Sequence, residues 1–476
     1  MKLSIACFYL ILAPFALLTI LGCGGNEQVE APQDAVPKRV RKITLDVLIL
    51  DDQVYGTELA RQFSSRRNGT ANVTQMSWED FANGGYQAAE EHDLLIYPSW
   101  RLGELASREL IEPITEDNSD LDESRERTLL IFDRNQAVKW GEQQVAMSLG
   151  QSLWVALYRA DVLEKLQAEV PRDWKAFDRL AAKIAELDDA SLPSRIAFPL
   201  EDHWASKSLM VRVASAIRIP GKYSSMFDVS TMEPLIDTEP FIKALRSLQV
   251  QMVGDPQPQN PASILADYVE GKLAIAVVPV NRHWLGNAGD TELPVTELGP
   301  VPGWKEMYDP TRESWFAPPS DSNLSVPLAG STGMLASVSA SSKQVRNAIE
   351  VMDWMTEKKI GAILSSESPN TGMSRKVDLA NPARWLGERL SAKNTSQFVD
   401  YVNDLNGSRR ILFFMRIPNA DTYLNALDAA VRKAVLENAN VVEVLSFAAR
   451  AWSQLNEELG LETQKNAFRK SVGLSQ

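Results

Sequence analysis

Five tryptophans lie in segments that read as loops, beside proline, glycine, aspartate or arginine: Trp100, Trp204, Trp284, Trp304 and Trp315. Indole faces stack on the C–H faces of sugar rings, so a concave site with aromatic walls and a few polar groups suits a carbohydrate. For each of the five, a packing role is the alternative. We expect at least two of them to line one ligand site.

The chain holds 12 tryptophans, and six more of them lie on or beside helical patterns. We expect these six to pack in the core or on the surface: Trp78, Trp140, Trp174, Trp354, Trp385 and Trp452.

Sugar hydroxyls also need carboxylates or amides as partners, and Asp51 and Asp52 follow the first predicted strand. Paired carboxylates can instead hydrolyse a glycosidic bond, for which Asp51-Asp52 and Glu201-Asp202 are the candidates. Adjacent residues on an extended segment point to opposite faces, so neither pair easily flanks one bond. We therefore favour binding over catalysis, and a glycan-acting enzyme stays the alternative.

The formal net charge is −13 at pH 7, which disfavours nucleic acid and anionic membrane surfaces as partners. The three histidines, His92, His203 and His283, lie far apart, and the two cysteines are Cys7 and Cys23. These positions form no spaced set of metal ligands. We expect no metal, no cofactor and no disulfide.

The first hundred residues alternate between strand and helix patterns. Strands are predicted at 43–50, 72–76 and 93–97, with helices between them. A βαβαβ order implies a parallel sheet, which would place Asp51, Asp52 and Trp100 at the carboxyl ends of strands. No glycine-rich fingerprint follows the first strand, so a dinucleotide fold is not indicated.

The segment 265–284 also predicts a helix followed by a strand, with candidate ligand-binding residues just beyond the strand. Gly271 predicts the end of a helix, and the unbroken apolar run 273–278 predicts a strand buried on both faces. Pro279 cannot donate to a sheet, so we expect the strand to end there and residues 282–284 to lie in the loop beyond it. Ligands of open α/β sheets bind at that end of the strands.

Between these regions, Leu157-Tyr158-Arg159-Ala160-Asp161 predicts a strand followed by a helix, and Pro171-Arg172-Asp173-Trp174 predicts a helix start. Together they resemble the hinge passage of the family 1 extracellular solute-binding proteins, the group that includes maltose-binding protein. Asp173 stands where that family has threonine, and both residue types cap helices.

Further motifs are similar to the same family in order and spacing. Gly271-Lys272-Leu273-Ala274-Ile275 resembles its G-K-x-A-M motif, although the G-P-W that often follows is absent. Residues 298–303 resemble its P-x-P-G strand exit, and residues 326–335 resemble its strand that returns to the first lobe. Two amphipathic helices close the chain as in the family. The resemblance spans residues 43–459.

The resemblance implies an α/β fold of the periplasmic-binding-protein type II kind, with two lobes, a ligand cleft between them and crossing hinge strands. The implied organisation is residues 43–150 for the first part of lobe 1, 151–328 for lobe 2, 329–400 for the return to lobe 1, and 401–476 for C-terminal helices packed across both. It also implies a monomeric receptor that binds a carbohydrate, in particular an oligosaccharide, for an ABC transporter permease. A receptor serving a sensor stays an alternative.

The first residues predict export. Residues 1–22 combine a basic start with an apolar run, as secretory signals do. Ile20-Leu21-Gly22-Cys23 resembles the bacterial lipoprotein box, which implies acylation of Cys23, a flexible tether over 23–42 and anchorage at a bacterial cell membrane facing the periplasm or exterior. A signal-anchor helix or a plain signal peptide is the alternative.

Overall fold

The computed structural model describes residues 42–66, 69–118, 127–252, 256–289, 292–318, 324–408 and 410–474. The predicted signal, Cys23 and all but the last residue of the predicted tether lie outside this part of the chain. Within the described part, no helix is both long enough and apolar enough to cross a membrane.

The first sheet has the strand order β2-β1-β3-β14-β6. Its strands are β1 (Thr44–Leu50), β2 (Thr70–Met76), β3 (Leu94–Pro98), β6 (Met147–Ser148) and β14 (Met334–Val338). The parallel pairing of β1 with β2 and β3 confirms the predicted βαβαβ unit. β14 runs antiparallel to β3 and β6, so a much later segment completes this sheet.

The second sheet has the order β10-β7-β9-β8. Its strands are β7 (Leu153–Arg159), β8 (Arg195–Ala197), β9 (Leu273–Val280) and β10 (Thr296–Pro300). All eight residues of β9 are buried, as the apolar run predicted. We call each sheet, with the helices that pack on it, a lobe; the residue boundaries predicted for the lobes stay a prediction.

Two details of the predicted β9 region are wrong. The strand continues through Pro279 to Val280. β8 pairs with β9 only as far as Ala276, so Pro279 lies where that edge of the strand has no strand neighbour. Residues 282–287 then form a short helix rather than a loop, because the Asn281 side chain accepts the Trp284 backbone N–H at 2.9 Å and caps its first turn.

The remaining strands are short pairs at the periphery: β4 (Lys139–Trp140), β5 (Gln143–Gln144), β11 (Met307–Asp309), β12 (Ser314–Phe316), β13 (Leu328–Ala329) and β15 (Leu412–Phe413).

The helices preceding β10 are α1 (Gln53–Arg66), α2 (Trp78–Asn83), α3 (Leu102–Ser107), α4 (Ala160–Lys165), α5 (Trp174–Ala185), α6 (Ala205–Ile217), α7 (Glu239–Gln251), α8 (Pro261–Val269) and α9 (Arg282–Asn287). The later helices are α10 (Val345–Met355), α11 (Lys358–Ser366), α12 (Ala383–Leu386), α13 (Ala392–Gly407), α14 (Ala420–Leu436), α15 (Val441–Leu459) and α16 (Leu461–Ser471).

The chain passes between the sheets where β6 leads to β7 and where β13 leads to β14. The backbones come very close there: a Cβ on Gly150 would lie 2.1 Å from the carbonyl oxygen of Gly372, and the φ of Gly150 is 89°. Only glycine fits such a position. Thr332 Oγ1 donates to the Ser152 carbonyl at 2.7 Å and so joins the two crossing segments.

The six tryptophans predicted to pack are all buried: Trp78, Trp140, Trp174, Trp354, Trp385 and Trp452. Trp452 of α15 is fully buried and donates its indole N–H to the Tyr423 carbonyl of α14 at 2.7 Å. The buried residues of the C-terminal helices belong to the same hydrophobic core as those of α6 and α7.

Candidate functional site

Two neighbouring strands of the first lobe end beside the candidate residues. Asp51 and Asp52 directly follow β1, and Trp100 lies in a 3₁₀ turn directly after β3. Because β1 and β3 are parallel neighbours, their carboxyl ends share one edge of the sheet. Trp100 keeps part of its surface exposed there.

The second lobe presents its tryptophans in the same way. Trp204 lies between β8 and α6, Trp284 lies on α9 just after β9, and β8 and β9 are parallel neighbours. Their ring centroids are 5.8 Å apart in an edge-to-face arrangement, and the ring centroid of Trp154 of β7 lies 6.2 Å from that of Trp204. Three indoles thus form a continuous row at this edge.

Lys207 joins the two lobes' aromatic residues. Its Nζ lies 4.1 Å from the centroid of the Trp100 ring and 4.4 Å from that of Trp204, with Phe414 at 5.8 Å. Both tryptophan distances are within the range of cation–π attraction. Of the five tryptophans predicted for a ligand site, the structure therefore brings three together, namely Trp100, Trp204 and Trp284.

Lys207 is also unusual in its electrostatics. The residue is 5% exposed. Among the described residues, its Nζ has no hydrogen-bond partner and no carboxylate oxygen within 4.0 Å. Burial lowers the pKa of Lys207 to about 7, and the more distant Asp428 and Asp421 only partly offset that effect.

The carboxylates nearest to Lys207 are engaged elsewhere. Asp428 of α14 accepts the backbone N–H of Ser206 at 2.6 Å and that of His203 at 3.1 Å, and so caps the start of α6. Asp421 of α14 forms an ion pair with Arg101. The Arg101 guanidinium also lies 4.2 Å from the ring centroid of Trp78, on the side of the site nearest β2.

Asp51 and Asp52 have different partners. Asp51 has φ 61° and accepts the Trp78 backbone N–H at 2.9 Å, and crowding by protein atoms raises the pKa of its carboxyl group although the residue is exposed. Asp52 is buried, caps α1 by accepting the Tyr55 N–H at 2.9 Å, and accepts a hydrogen bond from Ser368. Burial raises the pKa of Asp52 as well. Asp51 is therefore the one whose environment suits ligand contact.

Neither carboxylate pair forms a joint site. The side chains of Asp51 and Asp52 bond to different parts of the chain, Asp51 to the Trp78 backbone N–H and Asp52 to Ser368. Glu201 and Asp202 are exposed, and Asp202 pairs with Arg432.

Trp304 and Trp315 lie in a separate cluster around Lys243 of α7. Lys243 Nζ is 4.0 Å from the Trp315 centroid and 4.7 Å from that of Trp304. Trp304 is 7% exposed and donates its indole N–H to the Arg212 carbonyl at 3.0 Å, so its position is that of a packing residue. The structure does not bring these two tryptophans to the other three.

Several residues of the site were not predicted. Trp154 lies in a buried strand, and Arg101 directly follows Trp100 without any motif to mark it. Lys207 follows Trp204 by three residues, the spacing of side chains that share a helix face. That spacing is the one sequence signal that leads from a predicted residue to an unpredicted one.

An open cavity of about 540 Å³ lies beside α9. Arg282 and His283 of α9 line it together with Glu367, Arg384 and Arg389. His283 Nδ1 lies 3.0 Å from the Glu367 carbonyl oxygen. In the described part of the chain, no group of three His, Cys, Asp or Glu residues is arranged to hold a metal ion.

No family model matches the sequence, and no curated protein matches it. Solved structures do share its fold. One is an ABC transporter solute-binding protein from Agrobacterium radiobacter K84 in complex with ribitol, with a TM-score of 0.63, 15% identity, and coverage of 87% of this chain and 98% of that one.

Two further solved structures are similar to this chain to about the same degree. T. maritima MalE3 with bound maltose has a TM-score of 0.60, 14% identity, and coverage of 87% of this chain and 100% of its own. A cyclo/maltodextrin-binding protein complexed with maltotetraose has a TM-score of 0.59, 15% identity, and coverage of 87% and 97%. These likenesses confirm the predicted fold, two α/β lobes of the type II periplasmic-binding-protein kind with crossing hinge strands.

Proposed function

We propose that this protein is a carbohydrate-binding receptor of an ABC importer, with the ligand held between the lobes and no catalytic role. The observation that carries the proposal is the meeting of Trp100 from the first lobe with Trp204 and Trp284 from the second. Indoles from both lobes can stack on one sugar, and Asp51 beside them can accept hydrogen bonds from its hydroxyls. An oligosaccharide is the ligand class that could engage indoles of both lobes at once.

The comparisons support this proposal at the level of fold. The structures of similar fold are described as binding proteins with ribitol, maltose and maltotetraose bound. Their ligands are small polyhydroxylated molecules, which is the class that the aromatic row and Asp51 favour here.

Titration calorimetry against neutral and acidic oligosaccharides tests the proposal. We expect saturable binding of at least one of them, without turnover of a labelled sample of the same sugar. Polyamines and oligopeptides serve as controls of other chemistry. Binding of one of these and of no sugar would refute the carbohydrate assignment, and release of labelled fragments would favour the hydrolase instead.

We further propose that acylation of Cys23 anchors the receptor at a bacterial cell membrane, with the segment 23–42 as a tether and a permease as partner. Two or more acyl chains hold a protein stably at a bilayer. The support is the lipoprotein-box-like sequence that ends in Cys23 and the polar, proline-containing segment after it.

A further inference from the structure

We propose that the ligand of this receptor is an acidic carbohydrate, whose carboxylate pairs with the ammonium group of Lys207. The inference rests on the proposed function and names the class of sugar that the site takes. The observation that points to it is a buried lysine, set between an indole of each lobe, that lacks an anion.

An ammonium group that is buried without a partner is unfavourable, and lysine is rarely buried unless it is paired. Other buried cations of this protein do have polar partners. Arg416 donates to the carbonyls of Ala137 and Ser471, the first at 3.0 Å and the second at 2.6 Å, and Arg410 donates to the carbonyl of Ser215. For Lys207, the contacts of Nζ found within the described part of the chain are with aromatic rings, those of Trp100 and Trp204 at the shortest distances.

The protein's own carboxylates do not take this role. Asp428 is occupied by two backbone N–H groups at the start of α6, and Asp421 by Arg101. Both lower the energy of a positive charge at Lys207 from a distance, but neither contacts it. An anion on the ligand would supply the missing contact.

The surroundings favour one carboxylate over a phosphate group. The carboxylates of Asp51, Asp421 and Asp428 create a negative potential in this region. That potential opposes the binding of a doubly charged phosphate more strongly than the binding of a singly charged carboxylate. A single ammonium matches a single negative charge, whereas phosphate sites generally use the planar fork of arginine. Trp284, which is partly exposed, can stack on the sugar ring that carries the carboxylate.

A carboxylate bound at Lys207 should also change the number of protons that the protein binds. Burial holds its pKa near 7 without a ligand, and a carboxylate in contact would raise the pKa, so binding near pH 7 would take up a proton. The titratable groups around it are Arg101 beside Trp100, Asp421 and Asp428 on α14, and His203 before α6. Arg101 opposes the positive charge on Lys207, while Asp421 and Asp428 favour it.

The experiment compares oligomers of galacturonate, glucuronate and mannuronate with their methyl esters, together with neutral oligosaccharides, by titration calorimetry. The proteins are the wild type, Lys207→Met, which keeps the length of the side chain without its charge, and Lys243→Met. Lys243 is the matched control, because its Nζ also lies over two tryptophans but away from the site.

We expect the wild type to bind at least one acidic oligomer about 10- to 100-fold more tightly than its ester, the range for a hydrogen bond to a charged group. Lys207→Met should lose that preference, so that the acid and its ester bind with similar affinity, and Lys243→Met should behave as the wild type. In buffers of different ionisation enthalpy, wild-type binding at pH 7 should take up protons.

Tight binding of neutral sugars with no preference for acidic ones would overturn the inference and leave the proposed function standing. Failure to bind any carbohydrate would overturn both. If Lys207→Met does not fold, the wild-type preference for acid over ester and the uptake of protons still decide the question.

Discussion

Trp284→Ala tests whether the aromatic row is a ligand site or a packing cluster. Trp284 is partly exposed, contacts Trp204 at a centroid distance of 5.8 Å, and packs on the core of the second lobe. Its helix cap uses the backbone N–H, so truncation leaves that bond with Asn281 in place. The substitution therefore removes an aromatic surface and spares the local backbone.

If the ring stacks on the ligand, its loss should cost about 1–3 kcal/mol of binding free energy. This corresponds to a roughly 5- to 150-fold rise in Kd. Full truncation of a core tryptophan costs about 3–5 kcal/mol of stability. For this half-exposed ring we expect clearly less, about 1–2 kcal/mol by the same scale.

The assay is titration calorimetry with the tightest-binding sugar, beside thermal unfolding of the same samples. Trp315→Ala is the matched control, because Trp315 is also partly exposed and lies over a lysine in the separate cluster. We expect it to leave Kd unchanged. A fall in Tm for Trp284→Ala with unchanged Kd would refute the ligand-stacking argument. Equal losses of affinity in both variants would show that the effect is not specific to Trp284.

The other predictions concern anchoring, motion and pH. Cys23→Ser should release the protein from membranes or block its maturation, and fractionation with mass spectrometry would show this; unchanged membrane retention and processing would contradict the anchor. Saturating sugar should reduce the radius of gyration measured by small-angle scattering, because ligand favours the closed arrangement of lobes, whereas an unchanged radius would indicate one rigid body. Burial raises the pKa of Asp133 to about 8 from 3.8, so its neutral form stabilises the fold at low pH and that contribution is lost as pH rises from about 4 to about 8. Asp133→Asn keeps an acceptor for Ser148 and Gln151, so its Tm relative to the wild type should rise across that window; parallel Tm profiles would contradict the shift.

The strands could be predicted because runs of apolar residues along the sequence indicate which short segments are buried. β1, β3 and β9 all form at the segments that the sequence indicates, although β9 continues past its predicted end at Pro279 to Val280. The short helix α9 could not be distinguished from a loop, because six residues hold little periodicity and its start depends on one capping bond from Asn281.

The site could be predicted only in part, because position beside a strand end does not determine tertiary neighbours. Trp284 and Trp304 have similar local contexts, and one lies in the indole row while the other is buried against Arg212 of α6. Lys207 was missed for the opposite reason. Every residue of α6 is buried in the structure. Its first turn nevertheless reads Ser206-Lys207-Ser208, and such polar residues do not predict a helix of the core.

The indole row has a consequence for spectroscopy. Trp154, Trp204 and Trp284 are in successive ring contact, with centroids 6.2 and 5.8 Å apart, so excitation of one passes readily to the others. The charged end of Lys207 lies against Trp204 and shifts the energy of its excited state. A ligand that touches any member, or that neutralises the ammonium, would therefore change the intrinsic fluorescence of all three together, and the protein carries its own optical reporter.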